Sequence, residues 1–416
     1  MRNYAVTGTI SEFPEGWAEQ VTPWIWTALW VPHHAAALVA AFVGFIALAR
    51  PAEIDWRRTL LAALAFASTA GLSIYVGMAA ALTAVLWLVA LLAQRRGRDA
   101  LNLALAGLGS TLIAAPWLLT LVGRPSEKAP LAFALRDYGL VDAATGFASG
   151  DLLIHLAVLL EAYLIQFGVF ALGAVVYWRK AGRKGLNSDL GLLLVLATGA
   201  SFLLGSFLRS TVLNNDLGWR VMLFAQAATL IWTLSALRAG ALFERGRIAW
   251  AAALCLCLGF AYNLFLMHHA RFGLRQTEAA RQIDYDARTA WSWLDRRLPT
   301  GALVQAQPNV GRSLDFGLYG RFPSPVADGH VGQLFGANRS AVQARIVEME
   351  PIFSAPGEPL AAVEAIAARR KLSAIVITAS DPVFGDQQAW TAQTQPAFAT
   401  QTVRVYLMPQ ADRARP

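Results

Sequence analysis

Long apolar stretches separated by short polar breaks run from Ile25 to Met267, and beyond them the chain turns to shorter amphipathic segments. A helix rising 1.5 Å per residue needs about 20 apolar residues to cross hydrocarbon, with roughly 17 to 25 the useful range. Windows of that kind are Ile25 to Ala49, Leu101 to Val122, Leu152 to Trp178, Leu190 to Phe207, Val221 to Leu237 and Ile248 to Met267. The run Thr59 to Ala93 is too long for one crossing, and Gly71, Ser73 and Gly77 interrupt it. It predicts two helices, the first covering Arg57 to Ala70, with a tight turn around Gly71 to Tyr75. The pattern thus predicts an external tail over residues 1–24 and an all-α polytopic membrane domain of about eight transmembrane helices over residues 25–268.

The remaining stretch, residues 269–416, predicts a small extramembrane α/β domain. Thr277 to Leu298 carries Ile283, Ala287, Ala290, Trp291 and Leu294 at helical spacing, and Pro299 and Gly301 stop it before a strand at Ala302 to Ala306. A second helix at Pro359 to Lys371 feeds the apolar strand Ser373 to Thr378, and Thr402 to Met408 alternates like a further strand. Helix followed by strand, twice, predicts a small sheet covered by helices.

Composition agrees: 56% of residues are hydrophobic and only 15% charged, against about 25% in soluble domains. The two cysteines, Cys255 and Cys257, stand in one apolar run, which provides neither a disulfide framework nor zinc-ligand spacing. The excess of 35 basic over 27 acidic residues has a topological explanation that needs no nucleic acid. Alternate loops hold Arg50, Arg57, Arg58, Arg95, Arg96, Arg98, Arg179, Lys180, Arg183, Lys184, Arg238, Arg245 and Arg247; the opposite set holds Arg2, Arg124, Lys128, Arg136, Arg209 and Arg220. The 13-to-6 asymmetry predicts a cytoplasmic first set. The amino-terminal tail and the α/β domain then lie on the periplasmic or extracellular side of a bacterial plasma membrane. Residues 1–23 are polar and lack a signal peptide, so an outward tail implies that earlier helices are missing from this chain.

No phosphate-cradling glycine loop, His-Glu-x-x-His motif or nucleophile elbow is present. The candidate chemistry lies in polar groups near the membrane. Trp30-Val31-Pro32-His33-His34 opens the first apolar helix, where His33 and His34 can bind a phosphate or pyrophosphate when protonated, act as general acid and base, or serve as an interfacial anchor. Asp216 precedes Arg220 at another helix mouth; Asp216 can cap that helix, hold a divalent metal or polarise a hydroxyl, and Arg220 can bind a phosphate. Glu161 falls about 14 Å into the fifth predicted helix, where a carboxylate needs a partner, a proton or a water-filled cavity. Gly123 to Gly150 forms a long external loop whose charges, Arg136 and Asp137 among them, read mainly as solvated. Trp291, Trp293, Asp381-Pro382 and Trp390 can line a carbohydrate surface, although burial in the domain core is the favoured reading.

The outward Trp-Val-Pro-His-His, the paired short helices around Gly71-Leu72-Ser73-x-Tyr75, the Asn215-Asp216-x-x-x-Arg220 motif and the trailing α/β domain together resemble the bacterial GT-C type polytopic membrane glycosyltransferases, over roughly Thr22 to Pro409. The resemblance implies a polyprenyl-phosphate-linked sugar donor, transfer on the outer face, and an acidic residue in the first external loop. No helix precedes Ile25, so that loop is not matched and the chain reads as the carboxy-terminal part of a longer enzyme, a split enzyme whose partner is an amino-terminal subunit, or an inactive relative. Glu12, Glu19, Asp137 and Asp216 are the candidate bases, and His33, His34 and Arg220 the candidate donor-phosphate contacts. The alternative is a non-catalytic membrane subunit, or a lipid or solute transporter using Glu161, with a partner-binding outer domain.

Overall fold

A computed structural model of the chain describes residues 21, 23–49, 55–122, 131–136, 152–210, 216–243, 246–268, 278–308, 319–327 and 337–409. They divide near residue 275 into a helical unit and an α/β unit.

The helical unit begins with α1 (Trp24–Trp30) and α2 (Pro32–Leu48). The single helix expected over Ile25 to Ala49 is broken at Val31, whose φ of −137° leaves the helical region. The cause is local: the ring of Pro32 crowds the preceding residue out of the α conformation, while Pro32 itself fits a first helical turn. Next come α3 (Trp56–Leu72), α4 (Ile74–Ala93) and α5 (Gly97–Val122). Asp55 caps α3 by accepting from the Arg57 N–H at 3.0 Å, and Ser73 caps α4 by accepting from the Val76 N–H at 3.2 Å. The predicted break between two helices thus rests on one extended residue, Ser73 (φ −155°, ψ 110°).

A short strand β1 (Leu131–Phe133) leads to α6 (Leu152–Phe167) and α7 (Val169–Ala181). These two replace the single span expected over Leu152 to Trp178, because the chain turns through 99° between them. Gly168 makes the turn with φ at +51°, a conformation that a side chain would strain. Beyond a 3-10 turn at Gly182–Leu186 follow α8 (Asp189–Phe207), β2 (Leu208–Ser210), α9 (Asp216–Val221), α10 (Leu223–Arg238) and α11 (Arg247–His268). Strand β1 pairs antiparallel with β2, Leu131 opposite Ser210 and Phe133 opposite Leu208.

By length and apolarity, five helices among the described residues can cross a membrane, or six if the bent pair is one span, fewer than the eight expected. The difference lies mainly in α2 and α3, each 17 residues long. Helix α4 runs antiparallel to α8, since Arg96 just beyond α4 donates to Asp189 at the start of α8 at 2.9 Å. The same guanidinium donates to Asp99 at 2.8 Å. Ser73 and Ser206 therefore mark the opposite end of the bundle. The interior between these ends is apolar and aromatic, with Phe45 edge-on to Phe66 at 4.9 Å and to Trp87 at 6.0 Å.

The α/β unit contains α12 (Glu278–Arg297), β3 (Leu303–Gln305), α13 (Arg339–Phe353), α14 (Leu360–Arg369), β4 (Leu372–Thr378), α15 (Trp390–Gln393), β5 (Phe398–Ala399) and β6 (Val403–Leu407). The sheet order is β3-β4-β6-β5, with β3 and β4 parallel and the other pairs antiparallel. Strand β4 reads as a continuous apolar run because both its faces are covered. Ala374 and Val376 pack with Trp291 and Leu294 of α12, whereas Ile375 and Ile377 pack with Met349 and Phe353 of α13 and Val363 of α14.

Buried Asp286 ties α12 to the turn before β6, accepting from the Thr402 N–H at 3.1 Å and its hydroxyl at 2.7 Å. Asp286→Ala would strand both donors, at a cost of about 1–3 kcal/mol. Hydrogen exchange at the Val403 to Tyr406 amides should accelerate accordingly; unchanged protection would show that the tie is dispensable.

Candidate functional site

The site is assembled where α2 starts, α3 meets α4, and α8 ends. Pro32 sets the first turn of α2 and so places His33 and His34 at its amino-terminal end. His34 is buried, and its Nδ1 lies 2.7 Å from the Ser73 hydroxyl. Because one Ser73 lone pair accepts the Val76 N–H, its own O–H can be donated to Nδ1, which would leave Nε2 of a neutral imidazole as a donor. The more exposed ring of His33 lies 4.0 Å from that of His34, tilted by 45°.

Arg220 enters from α9, which packs on α4, α8 and β2. Its side chain is buried, with its guanidinium carbon 5.6 Å from the centre of the Trp219 ring. It lies near enough to His34 for its charge to act on that imidazole. A buried guanidinium among apolar helices is expensive unless something anionic or polar repays its desolvation.

A second buried arginine belongs to the same end. Arg136 follows β1, and its backbone N–H donates to the Ser206 carbonyl at 3.0 Å. Ser206 also shares a 2.9 Å hydrogen bond with the Tyr163 hydroxyl, and Arg136 acts electrostatically on Tyr163. Among loop charges read as solvated, Arg136 is thus a correction: the β1–β2 ribbon draws it under cover.

Of the residues singled out in the sequence, His33, His34 and Arg220 come together. Ser73 joins them although the sequence shows it only as a helix break; an isolated serine between two glycines was the available signal. Asp216 is the first residue of α9, with its side chain outside the described residues, and Glu12, Glu19 and Asp137 lie outside them altogether. Glu161 lies on an exposed part of α6. Its helix is not the lower half of a straight span, and its depth cannot be counted along one.

Among the described residues no group of three or more His, Cys, Asp or Glu side chains converges. In the α/β unit, Trp291 and Trp390 are buried, while Trp293 stacks on Phe398 at 5.4 Å, so the aromatics serve the core.

By sequence, no protein-family profile and no curated protein matches the chain. By structure, it is similar to the single-particle cryo-EM structure of the arabinofuranosyltransferase AftD from Mycobacteria, with a TM-score of 0.50 and 16% identity. The match covers 92% of this chain and 30% of that one. At that identity the likeness shows a shared fold.

Proposed function

We propose that this GT-C type chain takes part in transferring a sugar from a polyprenyl-phosphate donor on the outer membrane face, with the donor phosphate received at the Arg220 end of the bundle. The observation that carries the reading is the buried Arg220 beside the His34–Ser73 pair. Guanidinium donors suit phosphate oxygens, and burial strengthens the interaction. The basic loop residues Arg96 and Arg183 belong to the opposite end, so the positive-inside tendency supports an outward-facing site.

In the proposed reaction the acceptor hydroxyl oxygen bonds to the anomeric carbon as the bond from that carbon to the phosphate oxygen breaks. The electron pair leaves with the polyprenyl phosphate, whose charge Arg220 balances, and the acceptor proton passes to a carboxylate. Glu12, Glu19, Asp137 and Asp216 are the proposed carboxylates.

The test is donor binding in proteoliposomes containing the full chain. Arg220→Ala should weaken binding of a polyprenyl-phosphate sugar by about tenfold or more, the loss of one charge-assisted contact. Arg220→Lys, which keeps the charge but not the fork, should fall between. Equal affinity for all three folded proteins would overturn the assignment.

A further inference from the structure

We propose that α6 does not cross the membrane but lies in its plane, along the acyl–head-group boundary at the Arg220 end of the bundle. The direction comes from its neighbour. Helix α7 is fixed alongside α10 by a close approach between Gly173 and Thr233, and the Thr233 hydroxyl lies 3.2 Å from the Phe170 carbonyl. Residues Leu217–Arg238, which include α10, form a 22-residue span long and apolar enough to cross. The 99° turn at Gly168 therefore sets α6 across the crossing direction.

The level comes from the pinned end of α6. Tyr163 is bonded to Ser206 in the last turn of α8. Tyr163 and Phe167 pack against Met222 and Ala225, where α10 begins. Ser206 is at the end of α8 and Met222 is five residues into the Leu217–Arg238 span on the same side of the bundle, so the pinned end of α6 lies within about 8 Å of the bundle's rim.

The occupant follows from what α6 exposes. Leu156, Leu160, Leu164 and Ile165 are 41%, 67%, 47% and 76% exposed, an apolar surface favoured against acyl chains rather than water. Glu161 is also exposed, about 100° round the helix from Leu160. In a crossing helix its carboxylate would sit in hydrocarbon at a cost of about 2.5 kcal/mol or more. In an in-plane helix every residue has nearly the same depth, and Glu161 reaches the head groups while the leucines keep the acyl chains. The right-angle turn thereby removes the conflict between an apolar sequence and an acid in its middle.

Depth measurement decides the matter. In a Cys255→Ala, Cys257→Ala background reconstituted into phosphatidylcholine–phosphatidylglycerol vesicles, the single variants Leu156→Cys, Leu160→Cys and Leu164→Cys would carry a fluorophore quenched by lipids brominated at graded positions. All three should report one shallow depth. Cysteines at 250, 254 and 258 on α11, whose native side chains are all exposed, are the internal standard and should deepen by about 6 Å per step. A similar gradient along α6 would overturn the proposal, as would labels on α6 that brominated lipid leaves unquenched while α11 responds.

Discussion

Gly173→Leu should separate α7 from α10 and leave little monodisperse protein after extraction in mild detergent. A Cβ at position 173 would lie 2.2 Å from the Thr233 hydroxyl oxygen and 2.6 Å from its Cβ, too close for either atom. Thr233 cannot simply turn aside. It is β-branched, and its hydroxyl donates to the Thr229 carbonyl at 2.7 Å. In a membrane, helices adhere through close packing more than through expulsion of water, so lost proximity is hard to replace. The loss should exceed about 3 kcal/mol, at or beyond the upper end of ordinary overpacking. Gly173→Ala should fall between, because one methyl group demands a smaller shift. Size-exclusion profiles and detergent melting curves read the effect. Wild-type melting of the leucine variant would show that α7 and α10 do not approach as described.

The second large effect is a pH response from Asp381, in the turn after β4. Burial pushes its carboxyl up to about 6 from an ordinary 3.8, although hydrogen bonds from the Thr378 N–H and hydroxyl pull it the other way. One carboxylate oxygen, Oδ2, accepts the Thr378 N–H at 2.7 Å, while Oδ1 is buried without a hydrogen-bond partner among the described residues. Because the folded value lies above the unfolded one, the unfolded chain releases this proton first. The stabilisation is fully present below about pH 4 and is lost as pH rises through 6. A displacement of roughly two units corresponds to about 3 kcal/mol less stability at pH 8 than at pH 4 from this group. Asp381→Asn should flatten that response, since the amide oxygen can still accept the Thr378 N–H and no charge is buried. Opening free energies from hydrogen exchange at Ile375 to Ile377, compared between the two proteins at several pH values, check it. Parallel pH profiles for wild type and variant would refute the assignment.

The sequence determined those features that depend on composition within a continuous segment. Apolar length located the apolar stretches but not how they divide into crossings, Ser73 marked a helix break, and the change near residue 270 separated the helical from the α/β part. Strands β4 and β6 and helices α12 and α14 were legible for the same reason: their periodicity and their stop signals are local. Tertiary structure decided the rest. The 99° turn inside an unbroken apolar run depends on how α6 and α7 pack, because a glycine permits a bend without requiring one. Covering Arg136 required β1 to pair with a strand 77 positions away. The His34–Ser73 contact joins residues 39 apart, and Arg220 reaches them from a different helix. Hydrophobicity acts on each segment by itself, whereas the burial of a charge or a hydroxyl depends on which segments close over it.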